Sequence, residues 1–101
     1  MRDAPAIRLG GIAANLARIA SLAGNLAHRQ VVLDLIEETK WFIEWTAPSE
    51  EPERAERLVE LQITLAILEN QIKSGKLDTS NTIVAAEQWR DEVLHMSGLL
   101  M

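Results

Sequence analysis

A chain of 101 residues with 48% apolar and 25% charged side chains has the make-up of one globular domain, which at this length buries roughly 65% of the surface its unfolded chain would expose. The absence of cysteine excludes disulfides, thiolate metal sites, iron–sulfur clusters and thiol nucleophiles, so only His28, His95 and the carboxylates remain for such chemistry. A formal charge of −5 argues against a binder of nucleic-acid phosphates, because that affinity comes from Lys and Arg displacing counterions.

The charge is uneven. Residues 1–33 carry Arg2, Arg8, Arg18 and Arg29 against Asp3 alone, a balance of +3, whereas the remainder stands at −8. An acid-poor, Ala-rich start raises the readings of signal peptide, transit peptide and membrane-surface helix. Arg18 interrupts the apolar run, no small-residue cleavage site follows a clean hydrophobic stretch, and Asn15, Ser21 and Asn25 make the span too polar to cross a bilayer. The expectation is a cytoplasmic chain without membrane insertion.

Residues 1–10 are expected to form a flexible N-terminal segment. Gly10-Gly11 serves there as a pliant lead-in rather than as an anion site, since no strand precedes the pair. Ile12, Leu16, Ile19, Ala23 and Leu26 then follow at spacings of 4, 3, 4 and 3, the seam of a coiled-coil-like helix. Ala13, Ala17, Ala20 and Ala27 flank the seam with side chains small enough for a neighbouring backbone to come close. The seam fails at Gln30, after Gly24 and Asn25, and apolar residues resume in a shifted phase at Val32, Leu35, Ile36, Phe42 and Ile43. Residues 11–46 therefore form either one long helix or a pair meeting near His28 to Gln30.

Pro48 ends that pattern, and Ser49 is a candidate N-cap with Glu50, Glu51 and Glu53 suited to the positive end of the next helix. This second helix is expected over 50–74, closed by Gly75 in the left-handed conformation, with Glu50–Arg54, Glu53–Arg57 and Glu69–Lys73 as supporting pairs one turn apart. Its stripe is Leu58, Leu61, Leu65, Leu68 and Ile72, while Val59, Ile63 and Ile67 lie on the far side, so neighbours are needed on more than one face. Leu61, Ile63, Leu65 and Ile67 also alternate as a strand does, but Glu, Gln, Leu and Ala surround them and no second strand exists to pair with. The third helix is expected over 79–97, capped within Asp78 to Asn81 and followed by Gly98, with Ile83, Ala86, Trp89, Val93 and Met96 buried. The fold class is all-α: an antiparallel bundle of three long helices, or four if the first is broken near His28.

Glu92-Val93-Leu94-His95 has the Glu-x-x-His spacing of ferritin-like di-iron ligands, and a homodimer would be needed to supply the rest of such a site. At about 100° per residue His95 falls nearly opposite the stripe of its helix, whereas such ligands project into the core. No metal or other cofactor is therefore expected, with Glu92 and His95 as weak metal candidates. His28 lies opposite its seam and reads as solvent-facing. Gly-x-Ser-x-Gly, His-Glu-x-x-His and phosphate-loop motifs are absent, and the chain reads as a non-enzyme. A helix-turn-helix is excluded by the length of the second helix and by a third helix holding only Arg90 among Glu87, Asp91 and Glu92.

The most informative segment is Lys40-Trp41-Phe42-Ile43-Glu44-Trp45. On a helical wheel Phe42 and Ile43 join the buried stripe, but Trp41 falls opposite it and Trp45 well off it, beside Asp34, Glu37 and Glu38. Two indoles one turn apart on a polar face are either an interface hot spot or a seat for the chain's own Leu99-Leu100-Met101. Trp41-Phe42-Ile43-Glu44-Trp45-Thr46-Ala47, together with Gln88-Trp89 and Met96-Ser97-Gly98-Leu99-Leu100, resembles a family of small helical proteins of cyanobacteria, some similar members of which are described as regulators of heterocyst differentiation. The resemblance spans residues 30–100, implies an intracellular bacterial protein, and carries no site residue with it.

The leading reading is a non-enzymatic interaction module, regulatory in role, acting by helix–helix association; the rival is a small dimeric bundle binding a metal through carboxylates and His95. A first helix of roughly 36 residues would span about 54 Å and overhang its neighbours. Its seam would then be covered by a second copy, so a homodimer is expected with Ile12, Leu16, Ile19, Trp41, Trp45, Ile63 and Ile67 as interface candidates and another protein partner as a further option.

Overall fold

The computed structural model describes residues 5–76 and 79–97. Helix α1 runs Pro5–Leu22, α2 Arg29–Thr46, α3 Pro52–Ser74 and α4 Thr79–Ser97, with single 3₁₀ turns at Leu26–His28 and Ala47–Ser49. All four helices contribute to one apolar core. No helix among the described residues is long and apolar enough to cross a membrane.

Helix α1 begins well before the position expected from the Gly pair, so residues 5–10 are helical rather than a flexible segment. Pro5 stands at the first helical position, where its missing N–H is one the helix does not use. Leu9 lies in phase with Ile12 and Leu16 and is buried with them. That burial outweighs the roughly 1 kcal/mol each that Gly10 and Gly11 cost within a helix. The pair therefore marks neither a lead-in nor a helix N-terminus.

The broken form of the first segment is the one observed. The last helical turn closes with the Ala23 amide on the Ile19 carbonyl at 2.9 Å. Asn25 then turns extended, at φ −122° and ψ 116°, and its side-chain oxygen accepts from the Ala27 amide at 2.9 Å. An Asn cap three residues past the end of α1 starts a new element in a new direction, which is why the buried stripe changes phase. The seam survives through Ala23, but Leu26 lies beyond the helix and is exposed. The longest dimension is 38 Å, shorter than an unbroken first helix would be.

Helix α2 buries Val32, Leu35, Ile36, Ile43 and two threonines, Thr39 and Thr46, while Phe42 is only half-buried. Helix α3 starts at Pro52, not at Glu50, and Ser49 is no cap: its hydroxyl donates to the Thr46 carbonyl at 3.0 Å within the 3₁₀ turn. Proline disfavours helical backbone in the residue before it, and Glu51 is accordingly extended at ψ 151°. The C-terminus of α3 follows expectation. Gly75 has φ +75°, the Lys76 amide reaches the Gln71 carbonyl at 3.0 Å and the Gly75 amide reaches Ile72 at 3.2 Å. In α4 the buried positions are Thr82, Ala86 and Val93; Ile83 is half-buried, one residue out of the stripe, and Trp89 and Met96 pack partly against the core. Gly98 lies outside the described residues.

Helix α1 is central, packing most extensively on α4 and then on α2, while α3 packs on α2 and meets α4 only lightly. Small side chains suit the closest pair: Ala13 of α1 and Ala86 of α4 are both buried. Between α3 and α4 the link is polar, through Arg57 and Glu92.

Candidate interaction surface

The buried stripe of α2 leaves its opposite face outward, and that face carries Asp34, Trp41 and Trp45. Trp41 is 67% exposed and Trp45 52%. One helical turn brings their ring centroids to 6.1 Å at an interplanar angle of 45°. Phe42 lies parallel to Trp45, at 6.4 Å and 5°. From α1, the Arg8 guanidinium carbon sits 5.2 Å from the Trp45 ring centroid, and its Nη1 donates to the Trp45 carbonyl at 3.3 Å. The aromatic group is thereby anchored on its inner side and open on its outer one.

Carboxylates surround the open side. A broad hollow is lined by Trp41 with Asp34, Glu37, Glu38 and Glu44, and a smaller one, of about 280 Å³, by Trp41, Glu44 and Trp45. Each rim carboxylate has neighbours of its own: Asp34 accepts from Gln30 at 2.9 Å, Glu38 from the buried Asn15 at 3.4 Å, and Glu44 from Gln62 of α3 at 3.1 Å. Lys40 is the cation within this rim, but its ammonium points to α3, at 2.9 Å from Glu69 and 3.6 Å from Glu37. The hydrogen bond to Glu69 chiefly raises the Lys40 pKa, opposed by desolvation and aided by the charges of Glu69 and Glu37. Glu69 is lowered in turn, first by the hydrogen bond from Lys40.

A second apolar surface lies on α3, where Val59, Ile63 and Ile67, spaced four apart, form one outward stripe. Ile63 is 56% exposed and Ile67 54%. The other interface candidates behave differently. Ile12, Leu16 and Ile19 are fully buried within the chain, because the break after Leu22 lets α2 and α4 cover the seam that an unbroken helix would have left bare. The chain's own Leu99-Leu100-Met101, the alternative cover for Trp41, lies outside the described residues.

The metal candidates Glu92 and His95 lie one turn apart on α4. Glu92 is held by Arg57, whose Nε and Nη2 address its two oxygens, the second at 2.6 Å, while Nη1 reaches Glu60. The Arg57 guanidinium also covers the Trp89 ring at 4.5 Å from its centroid. Its pKa is raised, first by the hydrogen bond to Glu92. His95 is exposed and His28 partly so. Among the described residues no group of three or more His, Asp or Glu is placed to hold a metal ion.

The spacing of Glu53 and Arg57 predicts a pair within α3, whereas Arg57 instead meets Glu92 and Trp89 of α4. A local spacing rule sees only one helix, and nothing in the order of residues says that α4 passes beside Arg57. The cover of Trp45 by Arg8 was invisible for the same reason, since thirty-seven positions separate the two. Comparison with protein families, with characterised proteins and with solved structures finds no match to this chain.

Proposed function

We propose that this protein is a non-enzymatic interaction module working by helix–helix association, with a regulatory role in the cytoplasm. The observation that carries the reading is the outward α3 stripe of Val59, Ile63 and Ile67, together with Trp41 and Trp45 at more than half exposure on α2. Large apolar side chains gathered on outward faces of two helices mark association surfaces more often than scattered ones do. The regulatory and cytoplasmic parts rest on the resemblance of the Trp41–Ala47 segment to the cyanobacterial helical family.

An antiparallel bundle belongs to the same reading. Arg8 meets Trp45 whereas the later Asn15 meets the earlier Glu38, and Glu44 pairs with Gln62 whereas the earlier Lys40 pairs with the later Glu69. Both orders run in opposite directions along neighbouring helices, and the outer stripe of α3 stays exposed beside them.

The partner we propose first for the α3 stripe is a second copy, pairing stripe to stripe about a twofold axis. Each of the three side chains has about half of its burial left to gain, about 1 kcal/mol apiece, so the expected dimer is weak. Sedimentation across a concentration series into the upper micromolar range is expected to show twice the chain mass for the native protein. The double variant Ile63→Glu/Ile67→Glu is expected to stay at the single-chain mass with an unchanged thermal transition, because both positions are exposed. A native protein that keeps the single-chain mass throughout the series would overturn the homodimer.

A further inference from the structure

The aromatic patch on α2 has a chemical bias that the α3 stripe lacks. Two indoles tilted at 45° open as a shallow wedge, and the Glu44 carboxylate lines the same hollow. Asp34, Glu37 and Glu38 border it on the Trp41 side, while the ammonium of Lys40 is committed to Glu69 and Glu37. The face around Trp41 is therefore net negative as well as apolar. Its inner ring already uses a cation, since Arg8 lies over Trp45. Over Trp41, the more exposed of the two, no cation lies among the described residues.

We infer that the wedge between Trp41 and Trp45 receives a Lys or Arg side chain from a basic segment of a partner protein, its charge resting on the Trp41 face and against the Glu44 carboxylate. An indole is the best π surface for a cation, and the aliphatic stem of Lys or Arg covers apolar area that an ammonium ion alone would leave wet. Gln62 orients Glu44 from α3, so the carboxylate is positioned before any ligand arrives. Because the hollow is shallow, a small free cation gains little from it, whereas a segment with several basic residues also meets Asp34, Glu37 and Glu38. Polyanions are repelled by the same rim. The inference rests on the interaction-module reading but uses α2, not the α3 stripe, so each surface fails or stands by itself.

The test follows the indole N–H resonances of the full chain, assigned by single Trp→Phe variants. The titrants are an amphipathic helical peptide of Lys and Leu, its versions with Gln or Glu for Lys, and tetramethylammonium chloride. The Lys peptide is expected to move the Trp41 and Trp45 signals, spare Trp89, and weaken as salt is added. Its affinity is expected to fall about tenfold in Trp41→Ala and about fivefold in Glu44→Gln, the scale of a partly desolvated cation–π contact and of one charged partner. Equal affinity for the Lys and Gln peptides would overturn the inference by showing that charge is not read. Tetramethylammonium acting as strongly as the peptide would overturn the commitment to a protein-borne cation. Loss of self-association in Trp41→Ala would assign the wedge to a second copy instead. If no peptide moves these signals while Ile63→Glu/Ile67→Glu still abolishes a dimer, the wedge inference falls and the interaction-module reading stands.

Discussion

Two threonines in the core stripe of α2 show how one residue type meets burial in two ways. The Thr39 hydroxyl donates to the Leu35 carbonyl one turn back at 2.6 Å, while the equally buried Thr46 hydroxyl has no partner among the described residues. Single-residue electrostatics are best tested at Lys40 and Glu69. The Glu69 carboxyl is held below its ordinary 4.5, so the stability it adds is present above that pH and is lost as pH falls through its lower folded value. Lys40 is raised above 10.5, so its contribution is present below that pH and is lost as pH rises through its higher folded value. Lys40→Met is expected to lower the urea midpoint at neutral pH and to converge with the native chain in acid, once Glu69 is protonated. A difference of the same size at both pH values would show that Lys40 acts through the packing of its stem rather than its charge.

At the scale of the element, the chain contrasts two glycines with open space around them. Nothing lies within 4 Å of a Cβ built on Gly75 or on Gly11, so neither position is kept as Gly by crowding. Gly75 holds φ +75° at the C-terminus of α3, a conformation that costs an L-residue about 1–2 kcal/mol. Gly11 sits in ordinary helical backbone, where Gly is worse than Ala by about 0.5–1 kcal/mol. Gly75→Ala is therefore expected to lower the unfolding free energy by about 1–2 kcal/mol and Gly11→Ala to raise it by about half that. Denaturant titration of both variants checks the pair, and equal effects of the same sign would contradict the assignment of the α3 cap.

The whole molecule depends on α3 for one wall of its core, although α3 packs chiefly on α2. Leu58, Leu61 and Leu65 are almost fully buried, and Leu68 and Ile72 nearly so. Leu65→Ala is expected to cost about 2–5 kcal/mol, the range for emptying a packed Leu site. Against a total of about 5–15 kcal/mol that would lower the midpoint of unfolding severely, and a midpoint unchanged by the substitution would show that Leu65 is not part of the core. The same helix carries the outward Val59, Ile63 and Ile67, so its inner and outer faces separate stability from association within one element.

Helix identity and several boundaries follow from the order of residues alone. Pro48 and Gly75 act on their own backbone, and the Leu58 to Ile72 stripe is buried as its spacing requires, because caps and periodicity work within a turn or two of the chain. Other features were decided only by tertiary packing. The break at Gly24–Asn25 is favoured locally by about 1 kcal/mol of poor helix propensity, but what decides it is the burial of Leu9, Ile12, Leu16 and Ile19 that the break permits under α2 and α4, which no local rule can weigh. Of the off-stripe residues, Trp41, Ile63 and Ile67 stay outward, Phe42 of the stripe itself is only partly covered, and Arg57 leaves Glu53 for Glu92 and Trp89. Burial and ion pairing are relations between helices, so they take their values only when α1 has brought its neighbours together.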